Sequence, residues 1–131
     1  MAMESQKSFR DLKIWHKAAA IFDMVCEDVK KWPSNKVANS IVYQLIRAAG
    51  SIGANIAEGY GRGLPGEFEQ FLRYARGSAA ETDNWLNNAL KTGFITGERY
   101  SEYAVIFTEL SKMIGSFIGK LRLQPHKKVS S

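Results

Sequence analysis

A single cysteine, Cys26, and two histidines, His16 and His126, are all the soft metal-ligating chemistry in these 131 residues. One cysteine excludes an intramolecular disulfide. Beside Val25 and Val29 it reads as a small core residue. Neither histidine follows a glutamate by three positions, so the Glu-x-x-His pairs of di-iron bundles are absent. A zinc cluster lacks its ligands too, and no cofactor is expected. No uncharged run reaches the roughly 18 residues needed to cross a bilayer. The longest candidates, 37–46 and 48–57, are divided by Arg47. The first ten residues are polar, without the apolar stretch of a secretory signal, so the expected compartment is the cytoplasm. Sustained alternation of apolar and polar residues is missing, and no strand is predicted.

What is present is helical periodicity interrupted three times. From about Asp11 to Trp32, Leu12, Trp15, Ala19, Phe22, Cys26 and Val29 recur at three- and four-residue spacings and predict a core-facing row. Lys13, His16, Lys17, Asp23, Glu27, Asp28 and Lys31 are expected on the opposite, solvated side. Ile14, Ala18, Ile21 and Val25 widen the apolar side to about half the circumference, more than one bundle core requires. That surplus predicts a second contact surface. Pro33 ends the segment.

A second helix is expected from near Asn39–Ser40 to about Tyr60, with Ala38, Ile41, Leu45, Ala48, Ile52 and Ile56 inward. The glycines between Gly59 and Gly66, with Pro65, then predict a flexible inter-helix loop. The third segment runs from about Gly66 to Thr92, with Phe68, Leu72, Ala75, Ala79, Leu86 and Leu90 inward and Gly93 as its C-terminal cap. The fourth opens at Thr96 or Gly97 and ends near Leu123, its row being Tyr103, Phe107, Leu110, Ile114, Phe117 and Leu121. Four such helices with short connections predict one all-α domain. The expected fold is an antiparallel up-down-up-down four-helix bundle, its core spanning about residues 9–123 between polar tails.

Helix two carries an unusual tract, Gln44 to Gly59 (QLIRAAGSIGANIAEG). Ala49, Gly53 and Ala57 form a smooth ridge that admits another helix closely. Arg47, Ser51, Asn55 and Glu58 share a different face, and helix three answers with Ser78 and Glu81. Antiparallel pairing sets Arg47 near Glu81 and Asn55 or Glu58 near Ser78, a structural polar layer fixing helix register. Glu58 and Glu81 as catalytic carboxylates would need a substrate cleft that so small a bundle hardly offers. Gly59 to Gly63 superficially matches a phosphate loop, yet no strand precedes it and no Gly-Lys-Ser/Thr follows. Neither an enzyme nor a small-molecule substrate is expected.

The net charge of +5 is unevenly placed. Residues 1–20 carry +2, and residues 112–131 carry +5 with no acid, leaving the middle negative. In the expected topology Lys7, Arg10, Lys13, Lys17, Lys120, Arg122, Lys127 and Lys128 converge at one pole, with Arg62 nearby. That is the footprint of a phosphate-binding surface, although no aromatic row suited to base stacking accompanies it.

The tract from Gln44 to Gly59 strongly resembles the four-helix bundle family encoded in intervening sequences of bacterial 23S rRNA genes, the S23 family. Phe9 to Ala18 (FRDLKIWHKA) and Glu67 to Glu81 (EFEQFLRYARGSAAE) resemble further parts of it, so the likeness spans roughly Phe9 to Leu123. The resemblance implies a left-handed up-down-up-down bundle assembled as a homopentamer. A related bundle is the accessory protein of diversity-generating retroelements, binding RNA and a reverse transcriptase. The expectation is therefore a non-enzymatic homo-oligomer that binds RNA or DNA through a basic pole. The alternative is a protein-interaction scaffold with no nucleic-acid role.

Overall fold

A computed structural model describes residues 7–124. A 3-10 turn, Phe9–Asp11, leads into α1 (Lys13–Val29), α2 (Lys36–Arg62), α3 (Pro65–Lys91) and α4 (Gly97–Arg122), and the described residues contain no strand. Four cross-helix relations fix the directions. Gly50 and Gly53 of α2 lie against Phe22 and Trp15 of α1. Ser78 of α3 hydrogen-bonds Ser51 of α2, and Arg122 of α4 binds Glu69 of α3. Arg99 of α4 binds Asp28 near the end of α1. Together with the Arg47–Glu81 and Lys17–Glu109 pairs, numbers rise on one helix as they fall on its neighbour. This is the expected up-down-up-down bundle.

Local chemistry places the helix ends. The Asn35 side chain accepts from the Ala38 amide at 2.9 Å, so α2 begins at Lys36, three to four residues before the expected start at Asn39–Ser40. Thr96 accepts from the Arg99 amide at 3.0 Å and starts α4. Gly63 and Gly93 adopt positive φ of 82° and 84°, the left-handed conformation that closes α2 and α3.

The glycine-rich stretch corrects the expected flexible loop. Gly59 and Gly61 continue α2, Gly66 already belongs to α3, and only Gly63 and Leu64 make the turn. Gly59 is buried because α3 crosses it. A β-carbon there would sit 2.6 Å from Phe71 Cβ and 2.9 Å from the Phe68 ring. Close approach, and not freedom to bend, requires this glycine.

Helix α1 is rotated relative to expectation. Ile14, Ala18, Ile21 and Val25 are the buried row. Leu12, Trp15, Ala19, Phe22, Cys26 and Val29 are only partly covered. Cys26 is accordingly half-buried, on the flank of the helix. The other helices hold the expected rows with small shifts. Thr82 and Ala89 are buried on α3, whereas Ala79 and Leu90 are half-buried; Ile118 is buried on α4, whereas Phe107 and Phe117 line the core edge. The core forms two clusters. Ile14, Ile52, Phe68, Leu72 and Ile114 centre the one near the chain ends, and Leu45, Leu86 and Tyr103 the other.

Candidate nucleic-acid interface

The fold brings the start of α1, the α2–α3 turn and the end of α4 to the same pole. The basic residues there divide into two groups. Arg62 donates to Glu58 at 2.8 Å and also faces Glu67 at 3.7 Å, with its guanidinium 5.0 Å from the centre of the Phe71 ring. Arg122 grips Glu69 through two nitrogens at 3.1 and 2.8 Å, and Arg73 shares that carboxylate. These two arginines hold the Glu69 carboxyl at about 2, against an ordinary 4.5. Lys17 donates to Glu109 at 2.6 Å. Arg62, Arg122 and Lys17 are thus each balanced by a neighbouring carboxylate, which leaves them less net charge to offer a phosphate.

Lys7, Arg10, Lys13 and Lys120 are exposed and have no ion-pair partner among the described residues. Arg10 rests over the Phe9 ring at 4.5 Å. Lys127 and Lys128 lie outside the described residues. Lys112 joins the unpaired set, and the sequence offered a signal for it: Lys112, Ser116 and Lys120 recur every four residues along α4. Lys13, Lys112 and Lys120 line one groove between α1 and α4, of about 510 Å³, with Asp11, Ser116, Met113 and Phe117. The Asp11 carboxylate is occupied, accepting the Ser8 amide at 3.0 Å.

The predicted polar layer forms in part. Ser78 donates to Ser51 at 2.9 Å, and Asn55 donates to the Ser51 hydroxyl and carbonyl oxygens. Arg47 donates to Glu81 and to Gln44, and the Trp85 indole also reaches Glu81. The Arg47 and Glu81 side chains remain 46% and 39% exposed, so the pair is a surface one. Glu58 is outside the layer, since Arg62 takes it. Residues 47 and 58 are roughly 16 Å apart along α2, so Glu58 and Glu81 make no carboxylate pair.

A second polar cluster, at the far pole, was missed by sequence reasoning, which placed Asp28 on the solvated side of α1. Asp28 is buried between α1 and α4. One of its oxygens accepts from Tyr103 Oη at 2.6 Å and from Arg99 Nε at 2.9 Å. Arg99 further donates to Glu102 at 2.7 Å and Glu27 at 3.2 Å. Burial, followed by the bond to Asp28, raises the Tyr103 phenol above its ordinary value. The available signal was register: Asp28 extends the row Ile14, Ala18, Ile21, Val25.

Among the described residues, no group of three His, Cys, Asp or Glu side chains is placed to hold a metal, and no helix is long and apolar enough to cross a membrane. The fold is similar to a crystal structure of a protein with unknown function from the S23 ribosomal protein family of Bacteroides thetaiotaomicron. That likeness has a TM-score of 0.71 and 28% identity, covering 80% of this chain and 97% of that one. No curated protein matches the sequence. Residues 10–116 match the family model of the 23S rRNA-intervening sequence protein, and with the bundle and its helix-two tract in place, the chain belongs to that family.

Proposed function

We propose that this protein is a non-enzymatic, homo-oligomeric bundle that binds nucleic acid through its α1–α4 pole. The observation that carries the reading is the set Lys7, Arg10, Lys13, Lys112 and Lys120, exposed and without ion-pair partners among the described residues. Unpaired cations gathered at one end release condensed counterions when they meet phosphates, and cyclic assembly would repeat the cluster in each subunit. Sequence preference is weak, because no element among the described residues is shaped to read base edges in a groove.

The half-covered row Trp15, Ala19 and Phe22 on α1, with exposed Tyr43 on α2, favours contact with another protein chain. In the first reading that chain is another copy; in the scaffold reading it is a different protein and the lysines only solubilise.

Gel shifts with RNA and DNA over a salt series test the reading, with light scattering for mass. Binding should weaken steeply with salt. Lys13→Gln/Lys112→Gln/Lys120→Gln should reduce the logarithmic salt slope by about 3, one per lost phosphate contact. Lys30, Lys31 and Lys36, at the opposite pole, should matter little. Absence of binding at low salt hands the case to the scaffold, and a monomer at micromolar concentration removes the assembly.

A further inference from the structure

The lysine-lined groove contains more than charge. Lys13 stands on its α1 side, and Lys112 and Lys120 on its α4 side. Its remaining lining is largely apolar: Leu12, Ile14, Met113 and Phe117. Met113 and Phe117 are half-buried, anchored on the core while contributing to the groove surface. The Phe117 ring meets Phe68 edge-on at 5.1 Å, which fixes its position. A purely electrostatic surface needs no such floor, since phosphates gain nothing from apolar carbon.

Dimensions narrow the ligand further. Packed helices lie about 8–10 Å apart, so the cleft between two of them is far narrower than a duplex. Lys112, Ser116 and Lys120 succeed one another at roughly 6 Å, one helical turn each. A duplex laid across the pole would touch lysine tips and leave the floor unused, because its bases are stacked inside. An unpaired strand can set phosphates against the lysines and turn a base onto the floor.

From this arrangement we infer that the groove is a site for single-stranded nucleic acid, with the backbone held by Lys13, Lys112 and Lys120 and an unstacked base packed on Met113 and Phe117. The inference rests on the nucleic-acid reading above and adds the strandedness of the ligand. A base stacked on an aromatic ring adds affinity that is indifferent to sequence but requires the base to be free.

The test is fluorescence anisotropy with the full chain and a labelled oligothymidylate longer than the ~4–16 nucleotide footprint of comparable sites. Its duplex with oligoadenylate is the second probe. Wild type should bind the single strand about tenfold more tightly than the duplex. Phe117→Leu, which keeps an apolar side chain and removes the ring, should weaken single-strand binding severalfold toward duplex level while duplex binding stays unchanged. Met113→Gln, on the same floor and likewise half-buried, should act in the same direction, so the test survives if Phe117→Leu unfolds. Lys13→Gln/Lys112→Gln/Lys120→Gln should weaken both probes together. Equal affinity for the two probes, or indifference of the single strand to both floor substitutions, overturns the single-strand assignment and leaves general nucleic-acid binding standing. No binding of either probe at low salt overturns both.

Discussion

Of the arginine–carboxylate pairs that cross between helices, Arg47–Glu81 and Arg99–Asp28 differ in almost everything except their chemistry. Arg47–Glu81 joins α2 to α3 in the middle of the most distinctive stretch of sequence, yet both side chains face solvent. Arg99–Asp28 joins α4 to α1 in an unremarkable stretch, yet Asp28 is 7% exposed and shares its oxygen with a fully buried tyrosine. A solvated pair gives up little when broken, because water replaces the lost partner. A buried one leaves an unpaired charge with no water to receive it. The α1–α4 seam closes the bundle, so the Asp28 cluster sets the register of its first and last helices. The α2–α3 seam needs no such lock, since Gly59 already fits it to Phe68 and Phe71.

The comparison is open to direct attack. Asp28→Ala should have the largest effect, about 2–3 kcal/mol of destabilisation in urea unfolding, because it leaves the buried Tyr103 hydroxyl without an acceptor and takes one of the three carboxylates that hold Arg99. A loss near that of a surface pair would erase the distinction. Tyr103→Phe keeps the ring and removes one bond to Asp28, so about 1 kcal/mol is expected.

Alkaline pH probes Tyr103 in that cluster, and the separate Tyr100–Asp83 bond between α4 and α3, without mutation. Tyr103 and Tyr100 are raised above their ordinary 10, Tyr100 to about 12 by its bond to Asp83. A raised value means the stabilisation is complete below pH 10 and is lost as pH climbs past it. Unfolding free energy should therefore fall from pH 10 toward 12, and less steeply in Tyr103→Phe. Acid pH probes the pole bearing Arg122. Glu69 is lowered from 4.5 to about 2, so its contribution is full above pH 4.5 and lost as pH falls toward 2. Glu69→Gln should flatten that limb of the stability curve.

Arg47→Ala comes last, with an expected loss under about 1 kcal/mol, as for other exposed pairs. A loss of several kcal/mol would show that this pair is shielded in the assembled protein, and would move the subunit interface onto α2 and α3.

Sequence reasoning reached the helix count and order because both rest on local rules. Pro33, the Gly63–Pro65 turn and Gly93 stop helices wherever they occur, and apolar spacing marks the segments between them. It also reached the Arg47–Glu81 contact, since antiparallel order pairs those positions, but it set Asn55 or Glu58 against Ser78, where the structure places Ser51. It read the second turn wrongly because glycine has two uses. At Gly59 the use is close packing, visible only once α3 lies across it.

The orientation of α1 marks the same boundary. Its apolar side is wide enough for two rows, and periodicity fits either. The structure buries Ile14, Ala18, Ile21 and Val25 and leaves Trp15 and Phe22 as a flank lying over Gly53 and Gly50. That choice carries Asp28 inward, where it needs Arg99, 71 positions away. The candidate site divides likewise. Clustering of positive charge at the chain ends is a property of composition and topology, and the sequence determined it. Which cations are spent on Glu58, Glu69 and Glu109, and which remain unpaired around an apolar floor, was decided by tertiary structure. An ion pair depends on distance and exposure, and a linear order of residues holds neither.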